Sequence, residues 1–130
     1  MNLSGYSRMY GDGPDAGPPG KLIDRTRTYL QEAQLKDKAA YFDEENMVVY
    51  ATTAFGVFVV SIDETQRYGG QLTPWQDISG CTLKITTTPA SARIVTVAIK
   101  SLDASLTEPV GEPAVPLLGF FRECVKRSRP

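Results

Sequence analysis

Residues 46 to 62, NMVVYATTAFGVFVVSI, hold two short apolar runs separated by Phe55 and Gly56. Each run has the length of a strand and is rich in Val, Tyr and Phe, whose branched or aromatic side chains fit a pleated, half-buried surface. Two such runs around a short break predict the central hairpin of an antiparallel sheet, and the rest of the chain must supply what covers it. At 130 residues and 42% apolar content, the chain can form one domain with its own core and has no room for two. The expected fold class is α+β. Residues 21 to 130 are expected to form a single domain, an antiparallel sheet or partly open barrel of about five to seven strands, with an N-terminal helix and a C-terminal capping helix.

Composition removes several classes of function. Fourteen basic residues against fifteen acidic ones leave a formal charge of −1, so no global field recruits polyanions and nucleic acid is not an expected partner. The chain has no histidine, which excludes histidine-based triads and histidine-ligated zinc or haem. Two cysteines, Cys81 and Cys124, are too few for a structural zinc site or a disulfide framework. They read as reduced, small core residues, with a disulfide between the sheet and the last helix, or a reactive thiol, as the functional alternatives. No metal and no cofactor is expected. An enzyme would have to move protons with Asp, Glu, Lys, Tyr or Cys alone, and no spacing supports that. No segment has the apolar length of a signal peptide core or a membrane span, so a cytoplasmic protein is expected.

In chain order, residues 1 to 20 carry five glycines and three prolines and read as a flexible arm. The spacing of Gly11, Gly13 and Gly17 is not that of a dinucleotide-binding turn, and no strand precedes it. From Lys21 to about Gln34, Leu22, Ile23, Thr26, Tyr29, Leu30 and Ala33 make one apolar face of a helix. Residues 36 to 42, KDKAAYF, begin the sheet, and Asp43-Glu44-Glu45-Asn46 turns into the hairpin. Three adjacent carboxylates in one exposed turn read as turn chemistry; a metal or acid/base pair needs carboxylates from separate elements. Residues 63 to 70 end in Gly69-Gly70 and read as a long flexible loop.

Pro74 before Trp75 predicts a short edge strand with the indole folded over the core. Cys81, Leu83 and Ile85 alternate with Thr82, Lys84 and Thr86, a strand with one wet face, and RIVTVAIK at 93 to 100 is a more buried strand. Residues 101 to 116 read as a loop. Pro116, then Leu117, Leu118, Phe120, Phe121, Cys124 and Val125, give a closing helix that should lie across the sheet. Arg122, Lys126, Arg127 and Arg129 put positive charge at its end and are the candidate binding residues, through which an anionic membrane or phosphate contact would run.

Short strands followed by one C-terminal amphipathic helix resemble the pleckstrin-homology-like superfold. The segment GVFVVSI, a loop, then TPWQDISGCTLKI is similar to the strand, loop and W-x-x-I edge strand of bacterial pleckstrin-homology-like and GRAM-like domains. The resemblance covers roughly residues 36 to 127. The tryptophan frequent in that family's helix is absent here, with Phe120 or Phe121 in its place, and a long helix precedes the first strand. Lipid-binding members are basic around the first hairpin, whereas this chain turns through Asp43, Glu44 and Glu45, so the resemblance implies protein binding. Residues 77 to 83, DISGCTL, are faintly similar to the D-x-S-x-x-G segment of PilZ domains, but Thr82 stands at the final glycine position, and no nucleotide-binding residue is carried over. A profilin-like or roadblock-like sheet between terminal helices is the alternative fold.

These readings converge on a non-catalytic protein-protein interaction module, an adaptor or an accessory subunit of a larger assembly. Its expected mechanism is a groove between an exposed sheet edge and the C-terminal helix that takes a partner strand or helix. The alternative is a module binding a lipid headgroup or small ligand through the basic tail.

Overall fold

The structure is a computed structural model that describes residues 1–11 and 16–128. Strands β1 (Ala40–Asp43), β2 (Val48–Thr52), β3 (Gly56–Ile62) and β4 (Tyr68–Pro74) lie in sequence order in one antiparallel sheet. Strands β5 (Cys81–Thr87), β6 (Arg93–Ile99) and β7 (Ala104–Pro109) form a second. The helices are α1 (Leu3–Tyr10), α2 (Pro18–Glu32) and α3 (Val115–Ser128). The expected α+β class holds, as two antiparallel sheets with a C-terminal helix and no closed barrel.

The central hairpin carries unbroken apolar runs at 48–51 and 57–60 because its sheet is covered on both faces there. One face of β1 to β3, with Ala40, Phe42, Val49, Ala51, Phe58 and Val60, packs under Leu3 and Tyr6 of α1 and Leu22, Ile23 and Leu30 of α2. The alternate residues Tyr41, Tyr50 and Val57 face the second sheet and α3, where they meet Val95, Val97, Ile99, Leu106, Leu117, Phe120 and Cys124. Phe120 is fully buried, in tilted contact with the Tyr50 ring at 5.8 Å. The terminal helix therefore closes the core as its periodicity requires, with Leu117, Phe120 and Cys124 spaced three and four apart on one face.

The second sheet has one dry face and one wet face. Across its three strands Thr82, Ala98 and Ser105 stand in register, as do Lys84, Thr96 and Thr107, and these are the polar rows. The opposite rows are Cys81, Ile99, Ala104, then Leu83, Val97, Leu106, then Ile85, Val95, Glu108. The last row places a carboxylate on the dry face, at the end of β7.

The first departure from expectation is the arm. Residues 3–10 form α1, docked on the first sheet with Leu3 1% and Tyr6 5% exposed. An eight-residue helix has no stability of its own. This one is held by tertiary contacts: Asn2 caps it through the Gly5 amide, the Leu3 amide donates to Asp37 at 2.9 Å, and Tyr6 and Tyr10 meet the Phe42 ring edge to face. Gly20 allows α2 to start against the end of α1, since a Cβ there would sit 2.9 and 2.8 Å from the Tyr10 and Gly11 carbonyl oxygens. Of the expected arm, residues 12–15 lie outside the described residues. Helix α2 starts at Pro18, earlier than the apolar pattern suggests, because proline fits the first turn of a helix.

Other segments also differ. The expected flexible loop at 63 to 70 is a tight turn: Asp63 accepts from the Thr65 amide and hydroxyl and the Arg67 amide, and Tyr68, Gly69 and Gly70 already pair with β3. Gly70 is a packing residue, because a Cβ would meet the Phe58 ring at 2.7 Å. Arg25 of α2 stacks over the Tyr68 ring, 4.7 Å from its centroid, and secures the same strand. Trp75 opens a 3-10 turn and not an edge strand; its indole N–H donates to the Thr53 carbonyl at 2.9 Å and its ring packs on the core. Within the expected loop at 101 to 116 lies β7, whose prolines fall at its end and beyond it, where no ladder bond is lost.

Candidate functional site

Among the described residues, the candidate residues on α3 make no hydrogen bond or ion pair with another element. Arg122 and Lys126 are exposed, and Arg127 is engaged locally, its Nε 3.1 Å from Glu123 one helical turn away. Arg129 lies outside the described residues. The acidic turn is also locally occupied. Asp43 accepts from the Asn46 amide and side chain, and Glu44 accepts from the Tyr10 hydroxyl at 3.0 Å. Among the described residues no three His, Cys, Asp or Glu side chains converge as a metal site would require.

Both cysteines are free, Cys124 buried and Cys81 half-buried. Burial pushes both thiols up from their ordinary range, so both hold their protons near neutrality and neither is an activated nucleophile. They serve the contact between β5 and α3, in the same core cluster as Leu118 and Phe121.

Beside them lies the first candidate surface. Strand β5 pairs with β6 along one side, and its other side has no partner strand among the described residues. Its inward residues begin under cover at Cys81 and continue into solvent, with Leu83 36% and Ile85 52% exposed. A seven-residue strand with an open edge and apolar side chains on alternate residues offers main-chain hydrogen bonds and side-chain contacts together. The sequence identified the alternation, but the missing neighbour is a property of the topology.

The second surface is a cleft of about 460 Å³ where the outer edges of the two sheets, β1 and β7, face one another beneath α1. The Tyr41 hydroxyl donates to Glu108 at 2.8 Å across the gap between the sheets. Burial foremost, and then this hydrogen bond, hold the Tyr41 phenol well above its ordinary range, and burial with the Glu44 bond pushes Tyr10 up to about 12. Both phenols are therefore fixed donors at neutral pH. Neither Tyr41 nor Glu108 stands out in the sequence, where one sits in a strand and the other in an apparent loop.

No protein-family model matches the sequence, and comparison with curated proteins gives no match. Two solved structures do match in fold. A DUF1696 family protein with a pleckstrin-homology domain from Shewanella loihica PV-4 superposes with a TM-score of 0.54 at 12% identity, covering 82% of this chain and 92% of that one. A pleckstrin homology domain from Shewanella amazonensis SB2B gives 0.53 at 12% identity, covering 84% and 96%. The chain therefore has the pleckstrin-homology-like fold that its strand and helix pattern resembles. Among its described residues no helix is long and apolar enough to cross a membrane.

Proposed function

We propose that this chain is a non-catalytic protein-binding module, an adaptor or accessory subunit, that receives an extended segment of a partner protein along β5. The observation carrying this reading is the open edge of β5 with Leu83 and Ile85 standing in solvent on the face that continues the core. An added strand would take its backbone hydrogen bonds from that edge and lay alternate apolar side chains over Leu83 and Ile85, beside Leu118 and Phe121 of α3. The local pairing of Arg127 with Glu123 and the acidic first turn weigh against a phosphorylated headgroup as the natural ligand.

The test is selection of peptides from a displayed random library on the full chain, followed by affinity measurement with an Ile85→Lys variant. Ile85 is half-exposed, so the substitution leaves the core intact. Selected peptides with alternating apolar residues, whose affinity falls at least about tenfold in the variant, support the reading. Peptides that bind the variant equally well refute it, as does salt-sensitive co-sedimentation of the chain with anionic vesicles in place of peptide binding.

A further inference from the structure

The cleft between β1 and β7 has a composition that neither the fold nor β5 accounts for. Its upper wall is apolar and aromatic, from Met9, Tyr6 and Tyr10 of α1 against Phe42. Its lower wall and rim are acidic: Glu108 from β7, Glu112 from the following 3-10 turn, Asp43 at the end of β1, and Glu44 and Glu45 from the turn after it. No Lys or Arg side chain lines it; Met1 does, and among the described residues its α-ammonium forms no ion pair with these carboxylates. Among the described residues the ion pair Arg127 to Glu123 lies on α3, and none is formed by these five carboxylates.

Geometry narrows the cation that would suit such a wall. The carboxylates come from four elements, and among the described residues no three of them converge on a point, which disfavours a compact metal ion. Glu108 is half-buried at the base, with one oxygen engaged by Tyr41, while Glu44 stands exposed at the rim with one oxygen engaged by Tyr10. Among the described residues the second oxygen of each has no hydrogen-bond donor. A charge spread over several donors, carried on a long apolar stem, matches that separation: the stem lies along aromatic and thioether surface while the head reaches the carboxylates. Guanidinium fits better than ammonium, because its planar fork bonds two acceptors and stacks on rings.

We propose that this cleft receives an arginine side chain of a partner protein, its stem along Tyr10 and Met9 and its guanidinium on Glu108. The cleft lies on the β1 and β7 edges, away from β5, so the partner is gripped at a second surface with its own chemistry. That contact is salt-sensitive at the exposed rim and less so at Glu108, where solvent screens less.

The probe is the acetylated and amidated hexapeptide Gly-Arg-Gly-Arg-Gly-Arg, titrated into the isotope-labelled full chain and followed by amide chemical shifts. Saturable shifts concentrated at residues 41–46 and 105–113, with affinity falling about tenfold in Glu108→Gln, are expected from loss of one charge-assisted pair. Glu108→Gln keeps an acceptor for Tyr41, so the fold is retained and the loss reports on charge. Ile85→Lys leaves this affinity unchanged, which separates the cleft from the β5 reading. The proposal is overturned if the same peptide with citrulline for arginine moves the same amides as strongly, if calcium chloride moves them at lower concentration, if the shifts fall on β5 and α3, or if no saturable shift occurs.

Discussion

The Tyr41 hydroxyl and the Glu108 carboxylate, 67 positions apart in sequence, meet at 2.8 Å and tie β1 of one sheet to β7 of the other. The two strands are terminal in their sheets and share no ladder bonds. This side-chain bond thus does locally what barrel closure would do with backbone. Tyr41→Phe should lower stability by about 1–2 kcal/mol, since the acceptor is charged and the donor buried, whereas Glu108→Gln should cost less than about 1 kcal/mol because an amide oxygen still accepts. Urea denaturation of both single variants and the double variant tests the pairing. A coupling energy near zero would show that the two side chains act independently.

Alkaline pH should act on the same contact. Tyr6, Tyr10, Tyr41 and Tyr50 all have phenols raised above 10.0, chiefly by burial. Below pH 10 folded and unfolded chains hold these protons alike, and the stabilising contribution is full. Above it the unfolded chain releases protons that the native state retains, so stability falls as pH rises. The slope contributed by Tyr41 approaches about 1.4 kcal/mol per pH unit while its native form stays protonated. Melting temperatures measured from about pH 9 to about pH 11 should decline, and decline less steeply in Tyr41→Phe. Equal slopes in the two proteins would contradict the assignment.

What the sequence made legible follows from where its apolar residues are buried. The hairpin was readable because β2 and β3 are covered on both faces, so their runs are uninterrupted, and α3 because Leu117, Phe120 and Cys124 repeat at helical spacing. Strand β7 was hidden by Glu108, a charge on the inward face that breaks the alternation begun by Ala104 and Leu106. Strand β4 was hidden by Gly69 and Gly70, which resemble a flexible link but lie where Phe58 needs space. The cleft was not legible at all. Its hydrogen bonds join residues 34 and 67 positions apart, and no local pattern encodes such a meeting.

Helix α1 illustrates the same limit, and its contribution can be measured. Leu3 is 1% exposed beneath the first sheet, so Leu3→Ala removes buried surface and should cost about 2–3 kcal/mol, toward the low end of core truncations because a terminal helix can shift to fill space. Hydrogen exchange at the α1 amides should accelerate more than at β3, since the helix opens locally before the sheet does. An unchanged denaturation midpoint would return these residues to the status of a loose arm.

Gly20 sets two effects against each other. In an isolated helix Gly→Ala is favourable by about 1 kcal/mol, because alanine loses less backbone entropy. Here the new Cβ would lie 2.9 Å from the Tyr10 carbonyl oxygen and 2.8 Å from that of Gly11, and backbone cannot rotate away as a side-chain tip can. Overpacking of this kind costs about 1–3 kcal/mol, so the clash should win and Gly20→Ala should destabilise by about 1–2 kcal/mol. The loss has a ceiling, because undocking α1 relieves the contacts with the Tyr10 and Gly11 carbonyls and leaves only the one with the Ala16 Cβ. Combined with Leu3→Ala, which weakens the same docking, Gly20→Ala should therefore cost less than it does alone. Additive losses in the double variant would show that α2 starts here without regard to α1.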